Sequence, residues 1–399
     1  MFRRFFVVLI LLLRASLGFL SSPSGNRIAR SVLRLNGGDG VSDLSNALAR
    51  LDQQWKIQQT AKRRSRWSKI TLDDNGVEEV DVGGATSNEE FVYLLEPPGN
   101  TLPSCVLVFV GGAGLGQFPQ VAYNEFLIRL SDRLNAAVIA APYTVGLDHF
   151  GLAKSVGDLS RRALLHCEQD PQRLYPESIP TYLIGHSLGC KLASIYLAAT
   201  GQHFEGLGFL SYNNFGFGQT IGMAKVFAEQ IRANSSGKGS PMNKEVMDQV
   251  FSFAEMAIGT IGLDFTPNPK EMDRLLSLKF SDENQKKTRL FVFDDDTLDS
   301  SPGFVESCSG RGPEASALPG SHLTPVFFKL GLEELPEEAR DLAREASGGF
   351  ESASFGNEEN LDALVDEVTK WILGMEPSRR PTWQRQTPLI PGSSTSDSR

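Results

Sequence analysis

Thr181-Tyr182-Leu183-Ile184-Gly185-His186-Ser187-Leu188-Gly189 decides how the rest of this chain is read. Thr181 to Ile184 reads as a buried strand that runs straight into Gly185. Beyond Gly189, the residues Leu192, Ile195, Tyr196 and Ala199 share one face of a helix. The pattern Gly-x-Ser-x-Gly alone is weak in a chain with 38 glycines. Set between a strand and a helix it has the form of a nucleophile elbow, against the plainer reading of a tight structural turn. Such a turn leaves no room for Cβ atoms beside its serine. It lifts the Ser187 hydroxyl above the sheet edge and aims the Leu188 N–H and the helix N-terminus at a developing oxyanion.

Upstream, Cys105 to Val110 is a continuous apolar run that ends in glycines, and Ala136 to Ala141 is another, stopped by Pro142. Both read as strands buried on two faces. Helical stripes follow them, with Tyr123, Phe126, Leu127, Leu130 and Leu134 on one and Leu152, Val156, Leu159 and Ala163 on the next. Gly206 to Leu210 and Arg289 to Phe293 continue the alternation. The expectation is a doubly wound, mostly parallel α/β sheet. The glycine loop 111–116 after the first of these strands is placed to supply a second oxyanion donor, the N–H of Ala113 or Gly114. A dinucleotide-binding loop is the competing reading. It fails because Gln117 stands where a third glycine is needed, and Pro142 and Tyr143 rather than an acid close the next strand.

Downstream, a base and an acid are required in the order serine, acid, histidine. Of five histidines, His186 lies inside the elbow and reads as packed, and His166 and His203 sit on or beside helices. His149 follows the second strand, where it either walls the site or is structural. His322, in Leu318-Pro319-Gly320-Ser321-His322, has the right place for the base. The acid belongs after Phe291-Val292-Phe293, where Asp294, Asp295, Asp296 and Asp299 compete. Asp296 has the offset expected of a triad acid, with Asp299 and Asp295 as runners-up. A metal site is the other reading of these aspartates. One loop without a distant partner makes a poor cage, so no metal and no cofactor is expected.

The order of strand, glycine loop, elbow, aspartate loop and late His322 resembles the α/β-hydrolase superfamily. The runs Gly111 to Gln117, Tyr212-Asn213-Asn214-Phe215, Phe265-Thr266-Pro267 and Asp295-Asp296-Thr297-Leu298-Asp299 are similar to those of a plant, algal and cyanobacterial family of plastid hydrolase-like proteins, filed as a domain of unknown function. The likeness covers roughly residues 88 to 330. It implies the fold and a plastid location and brings no substrate. An acidic segment from Glu333 to Glu359 departs from it.

The remaining boundaries follow from composition and periodicity. Residues 1–18, with Arg3, Arg4 and the apolar run Phe5 to Leu13, read as a signal peptide too short to span a bilayer. Residues 19–38 are rich in Ser and Arg without acids before Asp39, a transit-peptide composition. Together, with Ala15 to Phe19 at the junction, they resemble the bipartite leader of algae with secondary plastids, with plain secretion as the alternative. The hydrolase domain is expected over 67–376, with a helical cap at about 214–285. Residues 377–399, rich in Pro, Ser, Arg and Thr, read as a disordered tail. The basic run 62–66 reads as solvated. A net charge of −9 argues against a nucleic-acid partner. Cys105 and Cys190 fall on core-like positions and read as reduced.

The expected chemistry is cleavage of an ester or thioester through an acyl-enzyme on Ser187, with a small-molecule or lipid-like ester as the candidate substrate. The alternative is a non-catalytic binding or scaffold protein on the same fold. The mature chain is expected to carry no transmembrane anchor, and the sequence leaves its oligomeric state open.

Overall fold

The apolar run at 105–110 is buried at every position. Successive strand side chains point to opposite faces, and here the two faces feed two different cores. Cys105, Leu107 and Phe109 join one apolar cluster, while Val106, Val108 and Val110 join the other. The run at 136–140 splits likewise, with Ala136, Val138 and Ala140 on the first side and Ala137 and Ile139 on the second. Strands buried on both faces need helices on both faces, which is why these stretches show no polar alternation.

The structure is a computed structural model that describes residues 66–72, 90–173, 175–220, 264–308, 312–331 and 352–385. In chain order its strands are β1 (Trp67–Thr71), β2 (Phe91–Leu95), β3 (Cys105–Val110), β4 (Ala136–Ala140), β5 (Thr181–His186), β6 (Gly206–Leu210), β7 (Thr288–Phe293), β8 (Glu314–Leu318), β9 (Phe328–Gly331) and β10 (Ser352–Phe355). The α-helices are α1 (Pro119–Ala122), α2 (Asn124–Leu134), α3 (His149–Gln169), α4 (Leu188–Thr200), α5 (Pro269–Lys279), α6 (Asp282–Lys287), α7 (Ser301–Ser307), α8 (Glu358–Ile372) and α9 (Thr382–Arg385).

The first eight strands form one sheet in the order β1-β2-β4-β3-β5-β6-β7-β8. β2 pairs antiparallel with β1 and β4, and the remaining pairs are parallel. α2 and α8 cover one face, through Leu127, Leu130, Leu361, Leu364 and Val365. α3, α4 and α5 cover the other, through Ala153, Val156, Leu192, Ile195, Met272 and Leu276. This strand order, with its antiparallel β2, is that of the α/β-hydrolase fold. From the carboxyl ends of the neighbouring β3 and β5 the loops lead to opposite sides of the sheet order, the switch point at which open α/β sheets bind their ligands. Those two loops carry the glycine run and Ser187.

Three expectations change. Residues 377–385 were expected to begin a disordered tail, yet they dock along β8. The Ala317 N–H donates to the Arg379 carbonyl at 2.7 Å, and the Ala315 N–H to Gln384 Oε1 at 2.9 Å. Trp383 packs against the core. β8 is a sheet edge with unpaired N–H groups, and the tail satisfies them. Of the expected cap at 214–285, residues 221–263 lie outside the described residues, but the later part belongs to the body. α5 buries Met272 and Leu276 and packs on α4 and α7. Arg66, the end of the basic run, is not simply solvated: its Nε donates to the Glu96 carbonyl at 2.8 Å. The leader, residues 1–38, and residues 386–399 lie outside the described residues. Cys105, Cys167 and Cys190 are buried, and all four cysteines are free.

Candidate active site

The elbow forms because the chain reverses from β5 into α4 within one residue. Ser187 takes φ 55° and ψ −119°, a conformation that side-chain-bearing residues rarely adopt. The flanking glycines are required by close approach. A Cβ on Gly185 would lie 2.8 Å from Cys190 Cα, and one on Gly189 would lie 2.1 Å from the Val110 carbonyl oxygen. The Ser187 N–H donates to the Leu210 carbonyl at 2.9 Å, which ties the strained residue to β6.

β7 and β8 end side by side, and their loops are stitched together. The Asp294 N–H donates to the Leu318 carbonyl and the Asp295 N–H to the Gly320 carbonyl, both at 2.9 Å. This pairing brings Asp296 and His322 face to face over the elbow. His322 Nε2 lies 2.8 Å from Ser187 Oγ, and His322 Nδ1 lies 2.9 Å from Asp296 Oδ2. Ser187 is 8% exposed, and the side chains of His322 and Asp296 are 12% and 0% exposed. Burial pushes the Asp296 carboxyl up, but its hydrogen bond with His322 and the imidazole's charge outweigh burial. Asp296 is therefore held below the usual carboxylate value. The Leu298 N–H, donating to Asp296 Oδ1 at 2.8 Å, helps to fix the carboxylate.

The other aspartates of the loop have other partners. Asp299 accepts from the Ser301 N–H at 3.1 Å and the Ser301 hydroxyl at 2.6 Å, at the start of α7. Burial pushes Asp299 up to about 6. Asp294 pairs with Arg379 at 2.6 Å, and Asp295 is exposed. Among the described residues no group of three or more His, Cys, Asp or Glu side chains is gathered so that it could hold a metal ion.

The glycine loop and the elbow also meet. Leu188 is the first residue of α4, so its N–H has no acceptor within the helix. Gly112 stands against the elbow, where a Cβ would lie 3.2 Å from Ser187 Cβ. The Gly112 N–H itself is occupied, donating to the Tyr123 hydroxyl at 2.8 Å. The next two N–H groups, those of Ala113 and Gly114, are the ones left to serve an oxyanion. The loop is held from its other side by the Tyr143 hydroxyl, which donates to the Gly111 carbonyl at 2.8 Å.

Residues 93–334 match the family model described as "Protein of unknown function (DUF1350)", more than half of the chain. The chain belongs to the DUF1350 family. The matched span of this DUF1350 member contains Gly112, Tyr123, Ser187, Asp296 and His322. A search of the curated proteins finds no match. Solved structures similar to the chain include carboxyl esterase 2 from Tuber melanosporum, at 16% identity and TM-score 0.41, over 71% of this chain and 82% of that one. A soluble variant of monoglyceride lipase from Saccharomyces cerevisiae matches at 12% identity and TM-score 0.41, over 72% and 93%. The Pyrococcus furiosus esterase Pf2001 matches at 14% identity and TM-score 0.41, over 72% and 91%.

The remaining histidines of this DUF1350 member take other roles. His149 does not reach the triple of side chains. It is buried at the start of α3 and stacks on Phe265, with ring centroids 4.4 Å apart. Burial and the nearby Lys191 charge hold it down at about 3. His166 and His203 lie near Asp170 and Glu283, away from the elbow. His186 is packed as expected, but it also bonds at both ring nitrogens. Tyr123, its partner, was read only as one member of an apolar stripe. Nothing in the sequence marks that residue as polar in its role.

Proposed function

We propose that this DUF1350 member is a serine hydrolase that cleaves an ester or thioester through an acyl-enzyme. The observation that carries the reading is the unbroken hydrogen-bonded run from Ser187 Oγ through His322 to a fully buried Asp296. In this reading Ser187 Oγ attacks the substrate carbonyl while His322 Nε2 takes its proton. Asp296, ionised by its surroundings, stabilises the resulting imidazolium and keeps Nδ1 protonated. The Leu188 and Ala113 N–H groups bind the oxyanion of the tetrahedral intermediate. His322 then gives its proton to the leaving group. In the second half it takes a proton from the water that attacks the acyl-serine, and returns it to Ser187 Oγ as the Oγ–acyl bond breaks and the acid leaves.

The test is hydrolysis of a graded series of synthetic oxygen esters and acyl thioesters, from two-carbon to long acyl chains. Turnover that rises at one chain length and drops in Ser187→Ala by on the order of a thousandfold or more supports the reading. A wild type that cleaves none of the series defeats it in favour of a binding protein on this fold.

The charge and length pattern of residues 1–38 supports delivery to the secondary plastid of an alga through the secretory pathway. Fusing these residues to a fluorescent reporter in such an alga tests it. Secretion of the reporter, or its retention uncleaved in a membrane, contradicts it.

A further inference from the structure

The loop that carries His322 and the glycine loop are joined through the elbow by one buried chain of hydrogen bonds. His186 Nε2 lies 2.8 Å from the main-chain carbonyl oxygen of His322. His186 Nδ1 lies 2.8 Å from the Tyr123 hydroxyl. That hydroxyl accepts the Gly112 N–H at 2.8 Å. His186 and Tyr123 are 1% and 0% exposed. The chain thus runs from the loop that carries the base, through the residue before the nucleophile, to the residue before the Ala113 donor.

Its polarity is fixed by chemistry at both ends. A carbonyl oxygen only accepts, so His186 Nε2 carries the hydrogen. A neutral imidazole then offers a lone pair at Nδ1. The Tyr123 O–H must donate to it, which leaves the phenol oxygen to accept from Gly112. Every donor has one acceptor and none is spare. A second proton on His186, at Nδ1, would face the Tyr123 oxygen and leave the phenol hydrogen without a partner. Burial holds His186 neutral, at about 3, in keeping with this arrangement.

We propose that His186, as the Nε2–H tautomer, is a positioning residue that sets the base loop and the oxyanion loop in one register through the His322 carbonyl and Tyr123. This rests on the hydrolase reading and adds to it the reason for a histidine inside the elbow. The chain holds the main chain of His322, so that its ring meets Ser187 Oγ. At the far end it takes up the Gly112 N–H, so that the Ala113 N–H, not Gly112's, turns toward the reacting carbonyl. Neither ring nitrogen of His186 bonds to Ser187 Oγ or to the His322 ring, although the two imidazole rings lie with centroids 5.2 Å apart.

The two ends can be broken separately. Tyr123→Phe keeps the ring and removes the hydroxyl. His186→Gln keeps an N–H able to reach the His322 carbonyl, and His186→Ala keeps neither end. Rates of serine labelling by an organophosphorus probe and steady-state ester hydrolysis are measured for each, well below its melting temperature. The expected result is a loss of kcat and labelling rate of about tenfold to a hundredfold in Tyr123→Phe and His186→Ala. KM should stay within about threefold, and His186→Gln should recover part of the loss. The Tyr123→Phe/His186→Ala double variant should be little slower than His186→Ala, because both break one chain. Independently, nitrogen-15 NMR of histidine-labelled wild type at neutral pH should show His186 protonated at Nε2 and bare at Nδ1. Full labelling rates in folded Tyr123→Phe and His186→Ala overturn the positioning role, and a His186 protonated at Nδ1 overturns the chain itself. A wild type that no probe labels removes the hydrolase reading and the positioning role with it, while the NMR spectrum still reports whether the chain exists.

Discussion

Asp296 and Asp299 show how much three backbone steps matter at a site. Both are shielded from solvent and both follow β7, but only Asp296 reaches the imidazole. Asp296→Asn should cut turnover by on the order of a thousandfold or more, by letting the ring adopt the wrong tautomer. Asp299→Asn should leave turnover within a few-fold, since the amide oxygen still accepts from Ser301. Its effect falls on stability. A carboxyl raised from 3.8 to about 6 keeps its proton longer in the folded state than in the unfolded one. The stability this lends is complete below the unfolded value and is lost as pH rises through about 6. Asp299→Asn should therefore be more stable than wild type at pH 8 and not at pH 4, by chemical denaturation at both. The sequence order of serine, acid and histidine already marked Ser187 and His322, because only one histidine follows every other candidate. The acid stayed open among neighbouring aspartates, because the choice depends on where the chain turns after Phe293. The part played by His186 was not legible at all, since its partner Tyr123 stands 63 positions upstream.

At the scale of elements, the strands buried on both faces were readable and the edges were not. β3 and β4 announce themselves by unbroken apolar runs, and β7 by Leu290 to Phe293. β8, Glu-Ala-Ser-Ala-Leu, is short and small in side chain, and its place is set by pairing with β7. The docked tail is harder still. Its Pro, Ser and Arg content reads as disorder, yet it holds the edge of β8 through the Arg379 carbonyl and the side chains of Arg379, Arg380 and Gln384, a register that composition does not reveal. The tail should therefore contribute to stability. Gln384→Ala loses the bond from the Ala315 N–H and the bond to the Pro313 carbonyl. Trp383→Ala loses apolar contact with the core. Each should cost about 1–3 kcal/mol, read as a lowered midpoint in urea. Unchanged midpoints in both would mean that the tail rests on β8 without supporting it.

Across the whole molecule, two apolar layers on a central sheet leave little room for buried charge, and the ionisable groups inside pay for that with shifted protonation. His149 and His186 are each lowered from 6.5 to about 3. Between those values the unfolded chain binds protons that the folded chain refuses, so folding stability falls as pH drops below 6.5. Each histidine contributes a slope of about 1.4 kcal/mol per pH unit, and Asp299 opposes with a similar slope between 3.8 and about 6. The net expectation is a loss of roughly 1.4 kcal/mol per pH unit from these three groups between pH 6 and 4. Urea titrations at half-unit intervals measure it, and His186→Gln should flatten the slope because its amide takes up no proton. A stability that holds level or rises from pH 6.5 to 4 would show that these histidines are not kept neutral by burial.

Treatment of the folded protein with an organophosphorus fluoride, followed by proteolysis and tandem mass spectrometry, asks directly whether Ser187 is an activated nucleophile. The expected result is one adduct per chain, on Ser187 Oγ. Ser187→Ala should carry no adduct, and His322→Ala almost none. An unmodified wild type, or an adduct that persists in Ser187→Ala, would contradict it.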